Sequence, residues 1–133
     1  MSAAQLEAQI EPGALLLLDS SIVLAYLAGG ERTSSLATDL LDGFVASGTN
    51  AAALSAITLG EILVRPFRSG GGAVRTVEGF IRFFAEIRIV DVDYGVAREA
   101  ARIRAATGLR MPDAIVVASA AAVKGNVLVT NDR

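Results

Sequence analysis

The sequence has neither cysteine nor histidine among its 133 residues. Without cysteine, disulfide frameworks, thiolate zinc sites, iron–sulfur clusters and a cysteine nucleophile are excluded. Without histidine, a Ser-His-Asp triad, an imidazole acid–base pair and a His-ligated zinc cannot be assembled within the chain. Tryptophan is missing as well, and aromatic residues amount to 5%. That scarcity argues against sequence-specific RNA reading by exposed stacking rings. Chemistry is left to carboxylates, hydroxyls, arginines, backbone groups or an imported metal ion.

Long hydrophobic runs are missing too. The longest apolar stretch, Ala114 to Val123, is ten residues, about half of the ~20 that a membrane-spanning helix needs. No basic residue precedes the apolar run in MSAAQLEAQIEPGALLLL, so a secretory signal is not expected and the default compartment is the cytoplasm. Hydrophobic residues make up 53% and charged residues 20%, with a mean hydropathy of +0.52. A disordered chain would show the opposite balance. The length is that of one domain with a sizeable core.

Charge is unevenly spread. Residues 1–64 carry one basic residue, Arg32, against seven acids, whereas residues 65–133 carry eleven basic residues against seven acids. Lys124 is the only lysine. Arginine forks match phosphate bidentately, so the second half suits RNA or an acidic partner. The competing reading is that these arginines are solvated helix faces and intrachain pairs.

Short apolar runs alternate with helical patterns. Strands are expected at Ala14–Leu18, Ala51–Leu54, Ile87–Val92 and Asn126–Thr130. Helices are expected at Ser20–Leu27, at Ser34–Val45, and at Ala56–Val64 with Pro66 as terminator. Others are expected at Val74–Ala85, at Asp93–Ala106 with Gly108 as stop, and from Pro112 to about Lys124. This order predicts an α/β fold, a three-layer α/β/α sandwich around a mainly parallel sheet of about four strands.

Four acids stand in apolar surroundings. Asp19 follows four leucines, and Asp132 follows Val127, Leu128 and Val129, so both fall just beyond a strand. Ligands of open parallel sheets gather at that edge. Asp113 lies in the first turn of an apolar helix, and Glu61 interrupts the greasy segment from Ile57 to Val64, which reads as semi-buried. Each has a bland reading: a helix-dipole partner for Asp113, a helix cap for Asp19, an ion pair with Arg65 for Glu61, a turn for Asp132. Together they would crowd negative charge unless a cation compensates. Mg²⁺ or Mn²⁺ fits, because hard cations take oxygen ligands. Ser20, Thr130 and Asn131 would hydrogen-bond a carboxylate or a bound water. A divalent ion in such a pocket activates water and offsets charge developing on a phosphate.

The segments LLLLDSSIVLAYL (Leu15–Leu27), ITLGEIL (Ile57–Leu63), LRMPDAIVVASAAAVKG (Leu109–Gly125) and VLVTNDR (Val127–Arg133) resemble the PIN-domain nucleases, in particular the VapC-type toxins of bacterial toxin–antitoxin pairs. The resemblance spans nearly the whole chain in order and spacing. It implies that Asp19, Glu61, Asp113 and Asp132 are metal-binding catalytic acids, with Ser20 and Thr130 as supporting hydroxyls. It implies a single PIN domain over residues 1–133, Mg²⁺- or Mn²⁺-dependent endoribonuclease activity, a homodimer and a cognate VapB-type antitoxin partner. Relatives continue past the TND segment with an aromatic residue, a short helix and a final strand, whereas this sequence stops at Arg133.

The main alternative is a catalytically silent PIN-like module that grips RNA or protein without cutting. A phosphotransferase of the haloacid-dehalogenase type is disfavoured. Asp91-Val92-Asp93 comes too late in the chain, and Asp93 reads better as a helix cap. A metal-dependent adhesion site is also disfavoured, because Ile22-Val23 breaks its D-x-S-x-S spacing.

Overall fold

The computed structural model describes residues 10–28, 37–84, 87–124 and 127–129. Four strands, β1 (Leu16–Leu18), β2 (Ala52–Ser55), β3 (Arg88–Val90) and β4 (Val127–Val129), form one parallel sheet in the order β3-β2-β1-β4. Between them run α1 (Ser20–Ala28), a π-helical segment π1 (Leu41–Ala46), α2 (Ala56–Ser69), α3 (Ala73–Gly79), a second segment π2 (Phe80–Phe84), α4 (Tyr94–Thr107) and α5 (Met111–Ala122). The expected sandwich is thus present, with every described strand pair parallel.

Burial on both faces explains why the strands are continuous apolar runs rather than alternating ones. Leu16, Leu18 and Leu54 turn to one side, against Ile22 and Val23 of α1, Leu41, Phe44 and Val45 of π1, and Ile62 of α2. Leu17, Ala53 and Val90 turn to the other, against Val116, Ala120 and Val123 of α5 and its end. A third cluster of small residues joins α4 to α5, with Ala100, Ala114 and Ala118 buried beside Val96. Helix α5 is apolar nearly all round because it has two faces to bury.

Three expectations need correction. Pro66 does not stop α2, which continues to Ser69. Pro66 removes a single N–H late in the helix, and its own carbonyl still accepts from Gly70 N at 3.2 Å. The end comes at Gly70, whose φ of 71° lies in the left-handed region. The helices expected at 34–45 and 74–85 are not uniform: each widens into a π segment in its second half. Leu40, just before π1, and Leu41, Phe44 and Val45 within it are all buried. The third strand is shorter than Ile87–Val92, since Asp91 and Val92 lie in the exposed link to α4.

Polar clips fix the elements. Asn50 Nδ2 donates to the carbonyls of Glu11 and Ala14 at 2.9 and 2.8 Å, securing the approach to β1. Asp93 accepts from Val96 N at 2.9 Å and caps α4, as expected, and Gly108 at φ 77° closes it. Ser119 Oγ donates to Ser55 Oγ at 2.9 Å inside the protein, and Ser55 also caps α2. Tyr26 stacks on Phe80 at 5.0 Å and donates its hydroxyl to Asp42 at 2.7 Å.

Two outcomes follow for stability. Ser55→Ala removes a cap and a buried acceptor, so it should cost about 1–2 kcal/mol, read as a lower denaturant midpoint at unchanged slope. Burial first, then the Asp42 hydrogen bond and charge, push the Tyr26 phenol from 10.0 up to about 12. The unfolded chain therefore ionises first: this contribution is intact below pH 10 and is lost as pH rises toward about 12. Tyr26→Phe should abolish that alkaline loss in pH-dependent unfolding curves.

Candidate active site

Sheet register sets the heights of the candidate residues. Leu16 pairs with Ala52 and Leu17 with Ala53, so Asp19, one residue past β1, comes level with Ser55 at the end of β2. Asp19 lies just past the strand, where the chain turns into α1. Asp19 is half-buried, and its Oδ1 accepts both the N–H and the hydroxyl of Ser21 at 2.6 Å each. Asp19 thus holds the first turn of α1 while Oδ2 takes no hydrogen bond from the described residues. Among these residues, the hydroxyl that reaches Asp19 belongs to Ser21 rather than to its neighbour Ser20. An acid two positions before a serine at a helix start is the sequence signal that would have found it.

Helix α5 leads into β4, and Val127 of β4 pairs with Leu16 at the beginning of β1. Its C-terminal end therefore lies toward the strands' beginnings and its N-terminus beyond their carboxyl ends. Val116 and Ala120 face the sheet. Asp113 lies three and seven residues before them and so continues the same stripe. The buried Ser119–Ser55 contact fixes the helix at the height of Asp19. Asp113 rises about 9 Å further along the axis, at 1.5 Å per residue. Its side chain is exposed, and Oδ2 accepts from Arg110 Nε at 3.4 Å.

Glu61 is exposed rather than semi-buried. The buried stripe of α2 runs through Thr58 and Ile62, and Glu61 falls off that stripe. It lines a groove of about 770 Å³ between α1, α2 and the start of α3, with Ser21 on the opposite wall. Ser21 therefore belongs both to this groove and to the Asp19 contact. Thr130, Asn131 and Asp132 lie outside the described residues. Val129, the last described residue before them, pairs with Leu18, so the chain reaches this same edge of the sheet. Among the described residues, no three acidic side chains stand close enough to form a metal-holding group. The register brings Asp19 and the N-terminus of α5, with Asp113 in its first turn, to the same edge of the sheet, and both side chains offer hard oxygen donors.

The family model for the PIN domain matches residues 16–133. No curated protein matches the chain by sequence. Among solved structures, a toxin–antitoxin complex from Klebsiella pneumoniae is similar with a TM-score of 0.69 and 20% identity, covering 87% of this chain and 86% of that one. VapC20 from Mycobacterium tuberculosis, a sarcin–ricin loop cleaving toxin, gives 0.70 at 18% identity, covering 88% and 89%. VapBC2 from Rickettsia felis, bound to a DNA fragment from its promoter, gives 0.63 at 17% identity, covering 89% and 87%. At these identities the likeness is one of fold.

Because the Ser21 hydroxyl is one of two donors to Asp19 Oδ1, Ser21→Ala is expected to cost about 1 kcal/mol of stability, read as a lower denaturant midpoint with the helical circular-dichroism signature retained.

Proposed function

The chain belongs to the PIN-domain family, and from that footing we propose that it is a divalent-metal-dependent endoribonuclease, the toxin of a toxin–antitoxin pair. The reading is supported by the sheet register and by the packing of α5, which bring Asp19 and the N-terminus of the helix that carries Asp113 to the same edge of the sheet. The similar VapC20 is a toxin that cleaves the sarcin–ricin loop, which supports RNA as substrate.

In this reading Asp19, Glu61, Asp113 and Asp132 hold one or more Mg²⁺ or Mn²⁺ ions. When bound, such an ion supplies Lewis acidity and an activated water for phosphodiester hydrolysis. The chain's own part is positional. Ser21 fixes one oxygen of Asp19, and the other takes no hydrogen bond from the described residues. Ser20, Thr130 and Asn131 supply further hydrogen bonds to carboxylates or water. The Ser55–Ser119 contact sets the height of Asp113 relative to Asp19. With no histidine in the sequence, proton transfer falls to carboxylates and water.

A VapB-type antitoxin is the proposed inhibitor, supported by the toxin–antitoxin complexes among the similar structures. A homodimer and a cytoplasmic location complete the reading. No helix among the described residues is long and apolar enough to cross a membrane.

Incubation with total RNA in Mn²⁺ is expected to give discrete fragments, and EDTA should abolish them. Asp19→Asn and Asp113→Asn should each lower cleavage by at least about a hundredfold, some 2.7 kcal/mol in the barrier, with the folded circular-dichroism signature kept. Tight RNA binding by the wild type without turnover would instead identify a silent binding module.

A further inference from the structure

We propose that Arg110 is a phosphate-binding residue that seats the RNA strand against the edge carrying Asp19 and Asp113; the proposal rests on the nuclease reading above. Arg110 has no evident structural duty. It occupies the N-cap position of α5, where Ser, Thr, Asp or Asn would serve, and its side chain makes no capping bond. A cation there also opposes the helix dipole. Its ion pair with Asp113 is one long contact, Nε to Oδ2 at 3.4 Å, with the side chains 80% and 51% exposed. Pairs so open to water add little to stability. The guanidinium therefore gives up this contact readily, and its two terminal nitrogens make no hydrogen bond among the described residues.

The backbone beneath it is firmly held. Gly108 turns the chain at φ 77°. Leu109 N donates to Thr107 Oγ1 at 3.2 Å, and Arg104 Nη1 donates to the carbonyl of Leu109 at 2.8 Å. The carbonyl of Arg110 itself accepts from Ala114 N at 2.9 Å. An exposed cationic fork on a fixed base, next to an acid at the edge of the sheet, suits bidentate capture of a phosphate that must lie beside that acid. Arg104 is then a positioning residue: it shapes the turn that presents Arg110.

The test is binding of a short single-stranded RNA oligonucleotide in EDTA, where no cleavage occurs, followed by anisotropy across a salt series. Arg110→Gln is expected to weaken binding about fivefold to tenfold. It should also flatten the plot of log affinity against log salt by about 0.7, the value for one lost phosphate contact on a single strand. Arg110→Lys should keep the wild-type slope. Arg102→Gln, which removes a guanidinium engaged by Glu99 on α4, should leave affinity and slope within error of wild type. Mn²⁺ affinity of Arg110→Gln, by calorimetry, should be no weaker than wild type. An unchanged slope in Arg110→Gln overturns the proposal, as does a loss of Mn²⁺ affinity without a change in slope. If Arg110→Gln does not fold, Arg110→Ala is measured in its place, and an unchanged slope there overturns the proposal. A wild type that binds RNA with the Arg110-dependent slope but never cleaves it would sink the nuclease reading and leave the contact standing. A wild type that does not bind RNA would sink both.

Discussion

Ser119 and Ser55 meet inside the protein, and the height of α5 on the sheet depends on that meeting. Apolar packing alone leaves a helix free to slide, because Val116 and Ala120 would find similar surface one turn up or down. A directed hydrogen bond between two buried hydroxyls opposes that sliding, since a slip would break it and leave Ser55 only the long contact from Ile57 N at 3.4 Å, while Ser119 keeps its bond to the Ile115 carbonyl at 2.7 Å. Both serines are fully buried. Asp113 inherits its position from this register, and Asp19 stands level with the same serine on the neighbouring strand.

Much of the fold was legible in the sequence, for a physical reason: strands buried on both faces must be apolar throughout, and helices between them must carry caps and stops. Asp93 and Gly108 announced the two ends of α4. Pro66 misled because one missing N–H late in a helix is a smaller penalty than the rule for helix interiors supposes. The π segments were invisible, since an apolar stripe reads the same whether the turn beneath it is tight or wide.

The site was legible in part. An acid directly after a buried strand has its height fixed by the strand, so Asp19 could be located in advance. Asp113 could be assigned to a helix start, though its sheet-facing stripe needed the contacts of Val116 and Ala120. Glu61 was misjudged in burial, because the segment from Ile57 to Val64 is apolar on average while α2 hides only one stripe of it. Ser21 was passed over for Ser20, since adjacent serines are distinguished only by which one the first helical turn brings back to the carboxylate. The uneven charge of the two halves finds expression at the tip between α4 and α5, where Arg104 and Arg110 project.

In the seam between α4 and α5, buried Ala100, Ala114 and Ala118 pack beside Val96, with Ile103 and Ile115 at its margin. Helices that approach so closely tolerate growth at one position only if its opposite shrinks. Diverged relatives should therefore exchange bulk across this seam in compensating pairs. An unmatched enlargement on α4 would tilt α5 and carry Asp113 with it, so an uncharged residue in this seam would displace an acid at the edge of the sheet from behind.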